Sequence, residues 1–228
     1  MVAMTGAPIM CLDAGSRISY PGTGTTWTDL SGNGNTGTLT NGPTYSSANG
    51  GSIVFDGVND YVDAPASAAL SFGTGDFSIS VWIKFSVLQT YHDLFGTANN
   101  AVYLGTAKSG WVLAAYGTTA IYFSYQSNNS WIFERIFLCT NATNTWYKID
   151  INRESGILKM YRNGVLLYSV TQATNIVSTE SFVRIGGGYP STAATVNGMI
   201  SVSSIYNRAL SAAEISTNFE LTRGRFGI

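Results

Sequence analysis

Charge is what this chain has least of. Lys, Arg, Asp and Glu make up 11% of its 228 residues, twelve basic against thirteen acidic for a net charge of −1, where a globular protein ordinarily carries about a quarter. No Lys/Arg cluster is present to displace counterions from a phosphate backbone, so nucleic acid is not an expected partner. Histidine occurs once, at His92, and cysteine twice, at Cys11 and Cys139. That gives no recognisable zinc-ligand spacing, and no GxSxG turn marks a serine for His92 to activate; His92 reads as a surface-loop residue. The cysteines stand far apart in apolar, strand-like runs without a CxxC motif, which points to buried free thiols and leaves a disulfide open as the alternative. Long apolar runs are missing as well. None approaches the roughly 18 residues of a membrane span, and the opening MVAMTGAPIMCLDAGS has neither the basic start nor the unbroken apolar stretch of an export signal. No membrane span and no signal peptide are expected.

Gly, Ser, Thr and Asn supply the polar surface instead. Turn signals recur about every 8 to 12 residues around short alternating runs, the pattern of a sandwich or barrel. In Phe77 to Phe85 the apolar residues Phe77, Ile79, Val81, Ile83 and Phe85 alternate with Ser78, Ser80, Trp82 and Lys84, so one face is core. Trp146 to Asn152 repeats the device, and Leu158 to Tyr168 reads as a hairpin closed by Asn163-Gly164, the pair a type I′ turn requires. Further strands are expected at residues 52–55, 61–63, 101–105, 111–116, 121–125, 135–140, 181–186 and 201–206. Gly22 to Gly51, rich in glycine, should meander over the surface, pinned by Trp27 and Leu30. Ser211 with Glu214 three residues on forms a capping box that starts a helix of about two or three turns.

Four segments carry a family likeness: FDGVNDYV at Phe55 to Val62, FSISVWIKF at Phe77 to Phe85, YRNGVLLY at Tyr161 to Tyr168 and the tail SVSSIYNRALSAAEI from Ser201. Together they resemble the laminin-G-like branch of the concanavalin-A-like lectin/glucanase jelly rolls over about residues 11–220. The resemblance implies an all-β, two-sheet antiparallel jelly-roll sandwich with a short C-terminal helix. It implies one domain over 11–228, and the apolar segment 1–10 has no evident place in it and is expected to be an arm. The family tail carries an acidic pair in a stretch where this chain has Ser201 and Ser203, while Tyr206, Asn207, Arg208, Ala209, Leu210 and Glu214 match it. Tyr206 and Leu210 are expected to pack the helix on the sandwich, with Arg208 on nearby carbonyls.

Glucanases similar in fold work with an ExDxxE carboxylate strand, which this chain lacks. Glycoside hydrolysis needs two carboxyls about 5 to 10 Å apart, and Glu134, Glu154, Glu180 and Glu214 stand alone, so no enzyme is expected. Aromatic residues beside amides suit sugar rings, which makes Tyr91, His92, Tyr125, Asn128, Asn129 and Trp131 the candidate ligand-binding set. Calcium is a weaker candidate, held by Asp56, Asp60, Asp63 and Asp93; against it, Asp56 and Asp60 serve the FDGVND turn.

Fold does not settle function. Stand-alone chains similar to this one look like virion proteins of tailed phages, and the expected role is a non-catalytic virion structural or attachment protein, as capsid decoration or fibre. Its partners would be other virion proteins or itself, with adhesion to cell-surface glycan as a further role. The alternatives are a soluble carbohydrate-binding module and a glycanase with an unrecognised site.

Overall fold

The computed structural model describes residues 5–66, 70–97, 110–127, 130–137, 141–178, 181–188 and 194–228. Among them sixteen strands run in the order β1 (Met10–Asp13), β2 (Thr26–Trp27), β3 (Gly37–Thr40), β4 (Thr44–Ser46), β5 (Ser52–Asp56), β6 (Tyr61–Pro65), β7 (Phe77–Phe85) and β8 (His92–Gly96). They continue with β9 (Trp111–Tyr116), β10 (Ala120–Ser127), β11 (Ser130–Phe137), β12 (Trp146–Glu154), β13 (Ile157–Arg162), β14 (Val165–Thr171), β15 (Phe182–Ile185) and β16 (Asn197–Tyr206), before one helix, α1 (Ala212–Phe226). Two antiparallel sheets result. One has the order β14-β13-β12-β7-β16-β5-β4 with β1 also on β16, and the other the order β11-β10-β9-β8-β15-β6-β3-β2.

Alternation decides what lies between the sheets. Phe77, Ile79, Val81, Ile83 and Phe85 of β7 are fully buried, and so are Ile149 and Ile151 of β12 and Trp111, Leu113 and Phe123 of the facing sheet. The outer face of β7 is buried too: Ser78, Ser80 and Trp82 are enclosed, Ser78 bonded to Arg208 and Leu210 just before α1 and Trp82 covered by Phe219 and Phe226 of the helix. Phe226 stacks on Trp82 at 4.0 Å between ring centroids and tilts against Trp146 at 4.7 Å. Tyr206 and Leu210 are buried with Tyr161 and Ile215 at the other end of the helix.

The helix is longer than expected, fifteen residues or about four turns. Its start is the capping box: Ser211 Oγ accepts from the Glu214 N–H at 3.2 Å and the Ser211 N–H donates to Glu214 at 2.8 Å. Arg208 pairs with Glu214 through both terminal nitrogens, at 3.1 and 2.6 Å, and also reaches the Ala209 carbonyl. Its far end is tied by Arg225, which donates to Asp13 Oδ1 at 2.7 Å, to the Gly51 carbonyl at 2.8 Å and to Ser201 Oγ at 2.6 Å. From Thr5 on, the N-terminal segment is laid against the same side: the Thr5 N–H donates to Asn218 of α1 at 2.7 Å, Ile9 donates to the Ile205 carbonyl, and β1 pairs with β16.

Two further expectations change. The 22–51 stretch holds β2, β3 and β4, with Trp27 fully buried. His92, read as a surface-loop residue, begins β8 over His92–Gly96, a strand not among those expected. The strand expected at 101–105 lies outside the described residues, as does Cys139; Cys11 is a buried free thiol that accepts from Ser204 Oγ at 3.7 Å, and burial pushes its pKa up to about 11. Among the described residues no helix is long and apolar enough to cross a membrane.

If α1 is held mainly by its aromatic end, Phe226→Ala should cost about 3 to 5 kcal/mol and lower thermal melting by about 6 to 20 °C. Unchanged melting by calorimetry would show that α1 contributes little to the fold.

Candidate functional site

Three loops meet at one end of the sandwich: 56–60 before β6, 86–91 before β8 and 117–119 before β10. Each is fixed by backbone chemistry. In the first, Asp56 Oδ1 accepts the Val58 N–H at 2.8 Å, an Asx turn. Gly57 then takes φ +79°, and a Cβ there would sit 2.7 Å from Asn197. Asn197 joins this loop to the second, donating from Nδ2 to the Asp56 carbonyl at 3.0 Å while its own carbonyl accepts from Ser86 and Val87 at 2.9 and 3.3 Å. Gln89 Nε2 donates to the Gly57 carbonyl at 3.3 Å. The third loop is tied to the second by the Gly117 N–H on the Thr90 carbonyl at 3.2 Å, and to Asn141, whose Nδ2 donates to the Gly117 and Ala120 carbonyls at 3.1 Å each.

This frame presents an apolar lip. Val58 is 62% exposed, Val87 50% and Tyr116 39%, and the half-buried Tyr91 ring lies 5.0 Å from that of Tyr116 at an angle of 59°. Thr90, Thr118 and Thr119 are exposed beside them. The three loops contain Asp56 and Asp60 but no basic residue. Such a surface offers ring faces for stacking and hydroxyls for hydrogen bonding.

Of the sequence-derived ligand set, Tyr91 is on this lip and His92 directly beneath it. His92 is fully buried in β8 rather than exposed in a loop, packed on Phe85 at 5.1 Å. Tyr125 is elsewhere. Its partner on β9 is Trp111, whereas Tyr116 pairs with Ala120, five residues or about 17 Å along the strand, and the Tyr125 side chain is in the core. Asn128 and Asn129 lie outside the described residues, as does the side chain of Trp131, whose backbone pairs with Gln126. Of the described members, Tyr91 and His92 are thus together at the lip and Tyr125 is not with them. Val58 and Val87 are members of the lip that sequence order did not single out as ligand residues; exposed apolar residues in turns were the available signal.

The four aspartates are separately engaged. Asp60 Oδ2 accepts the Asp56 N–H at 3.1 Å, and burial raises its pKa. Asp63 takes both arms of Arg184 at 2.7 Å, and Arg184 stacks 3.7 Å over the Tyr61 ring. Asp93 pairs with Ala114, which pairs with Tyr122; this row of the sheet is closed to solvent, and burial pushes the Asp93 carboxyl up to about 8. Among the described residues no three His, Cys, Asp or Glu side chains converge to hold a metal ion. Nor does the lip contain a carboxylate pair suited to hydrolysis, since Asp60 and Asp93 are each only 3% exposed and a general acid must touch the glycosidic oxygen.

The profile of the concanavalin A-like lectin/glucanases superfamily, in its laminin-G form, matches residues 56–216, more than two thirds of the chain. No curated protein matches the chain in sequence. Among solved structures, domain 4 of a GH43 extracellular arabinanase from Geobacillus stearothermophilus, in complex with arabinotriose, superposes with a TM-score of 0.72 at 19% identity, covering 94% of this chain and 98% of that one. The botulinum neurotoxin serotype G binding domain gives 0.70 at 20% identity, covering 94% of this chain and 51% of its own. The botulinum neurotoxin serotype D ligand binding domain in complex with N-acetylneuraminic acid gives 0.70 at 17%, covering 94% and 50%. The chain thus spans about half the length of these toxin domains, and at such identities the likeness shows the fold.

The buried pair behind the lip makes stability depend on pH in two windows. Asp93 ionises near 3.8 in the unfolded chain and near 8 in the fold, so its contribution is full below about pH 4 and is lost as pH rises toward 8. His92, lowered by burial from 6.5 to about 4, favours the fold above pH 6.5 and loses that contribution as pH falls toward 4. Asp93→Asn, which keeps the shape of the protonated acid, should melt higher than the parent at pH 8 and close to it at pH 4. One pH unit of the Asp93 displacement is worth about 1.4 kcal/mol, or about 3 to 6 °C. Parallel melting curves across this range would contradict the burial argument.

Proposed function

The chain belongs to the concanavalin A-like lectin/glucanases superfamily, and from that premise we propose that it is a non-catalytic binding domain whose Tyr91–Tyr116 lip recognises a glycan. The observation that carries the reading is the pairing of the half-buried Tyr91 with the exposed Tyr116 on a frame of three cross-braced loops, with hydroxyls around it and no accessible carboxylate pair. Sugar rings present C–H faces that stack on π systems, and a rigid aromatic loses little entropy on binding. That one structural relative was solved in complex with arabinotriose and another with N-acetylneuraminic acid supports glycan as the ligand class.

At a finer level the chain reads as a tailed-phage virion protein, a capsid decoration or fibre subunit that displays this lip. Its support is the IYNRALSAAEI tail and a surface with few charges, which is desolvated at modest cost in an assembly. Immunogold labelling of purified particles tests that role, and unlabelled particles would remove it.

The binding reading is tested on a glycan panel that includes arabinan and sialylated oligosaccharides. The parent protein should bind without releasing product, and Tyr91→Ala and Tyr116→Ala should each weaken binding by about 1 to 3 kcal/mol, about five- to 150-fold in Kd, without loss of fold. Turnover abolished by a single Asp or Glu substitution would overturn the non-catalytic reading. Equal affinity in both tyrosine variants would overturn the lip.

A further inference from the structure

His92 sits where it can touch no ligand and yet govern the surface that does. Its imidazole is fully buried. Nε2 takes the Gln89 backbone N–H at 2.7 Å, which makes Nε2 the bare nitrogen and places the proton on Nδ1. From Nδ1 the ring donates to the Thr195 carbonyl at 3.2 Å. One ring therefore bridges the 86–91 loop to the segment entering β16, and Tyr91 of the lip lies between Gln89 and His92 in the chain. Leu88 is packed on the core beside it, and among the described residues the hydrogen bonds of Gln89 and Thr90 run to this ring, the Gly57 carbonyl and the Gly117 N–H.

The surroundings leave a second proton no welcome. Phe85 of β7 packs on the ring, Ala115 of β9 pairs with it, and Thr195 meets it with a carbonyl. Among the described residues no charged side chain contributes to the His92 titration, which burial lowers to about 4 against the pull of the Thr195 carbonyl. Asp93, the nearest carboxyl on the same strand, alternates to the opposite face of the sheet, and Asp56 and Asp60 are occupied by the turn. A proton arriving at Nε2 would confront the Gln89 N–H donor to donor and leave a buried charge without a counter-ion, both costly.

We infer that His92 is the positioning residue of the lip: neutral, it clamps Gln89 and so holds Tyr91 against Tyr116, and protonated it lets the end of the 86–91 loop go, so that ligand is held at neutral pH and released in acid. This rests on the lip being the binding surface, but the clamp itself is measurable without ligand.

Amide hydrogen exchange of the intact protein, corrected for the intrinsic effect of pH, is followed at pH 7 and pH 3.5 for residues 86–91, with β7 as the internal reference. In the parent, protection of 86–91 should fall by about tenfold or more in acid while β7 stays protected. His92→Gln, whose side-chain oxygen can accept from Gln89 but does not titrate, should keep the loop protected at both values. His92→Phe, which removes the acceptor, should leave it exposed at both; if that variant does not fold, the pH comparison between parent and His92→Gln still decides. Parent protection that does not change with pH, or a fall in His92→Gln equal to the parent's, overturns the inference. The same glycan panel at the two pH values separates the claims. No binding at pH 7 by any lip-dependent route defeats the proposed function and leaves the exchange result to judge the clamp, whereas lip-dependent binding undiminished at pH 3.5 overturns acid release alone.

Discussion

Both faces of the β7 sheet have to be kept from water, and the rest of the molecule follows from how that is done. One face is covered by the second sheet across a continuous apolar core. The other carries Trp82 and Trp146, and these are closed over by Phe226 at the end of α1. A single stack at 4.0 Å thus ties the C-terminal turn to the middle of the sandwich, and the Arg225 fork onto Asp13, Gly51 and Ser201 fixes the angle at which it arrives. β16 pairs with β7 along one edge and is shared by β5 and β1 along the other, so the first and last strands lock each other in place.

With α1 and the segment from Thr5 on that sheet, the braced loops before β6, β8 and β10 present the aromatic pair at one end of the sandwich. Their rigidity has functional weight. A binding surface that is already ordered loses less freedom when it binds, and Asn197, Asn141, Gln89 and His92 each remove a degree of freedom from a loop that would otherwise be held by its ends alone. Burying His92 and Asp93 has an energetic consequence in the opposite sense. Each resists its charged form, in different pH windows, so the base of the lip responds to both acid and alkali.

What was legible in the sequence follows physical range. The inner face of β7 shows in the period-two alternation of five apolar residues, and the hairpin in Asn163-Gly164, which indeed adopt φ of 51° and 77°. The capping box is equally local. The length of α1 is not: Thr222 and Gly224 are poor helix formers, and the last turn persists because Phe226 and Arg225 find partners far away in sequence. β8 was hidden because a bulge between Asp93 and Phe95 breaks its alternation, and pairing with β9 and β15 makes the strand. β2 to β4 are too short, at two to four residues, to show any period. Four of the six candidate ligand residues were grouped by nearness in sequence to the 127–131 turn, whereas register sends Tyr125 inward and brings Tyr116 to Tyr91 from the neighbouring strand. Alternation in Ile121, Phe123 and Tyr125 already carried that information; the meeting of three loops did not exist until the sheet was assembled.

The most direct test of the account is to map where a bound glycan lies, by backbone chemical-shift perturbation on the uniformly labelled protein titrated with an oligosaccharide it binds. The account predicts saturable shifts at residues 57–59, 87–91 and 116–119, with β14 and α1 unmoved. Saturable shifts centred on the 127–131 turn or on the outer face of α1, with the three loops silent, would contradict it.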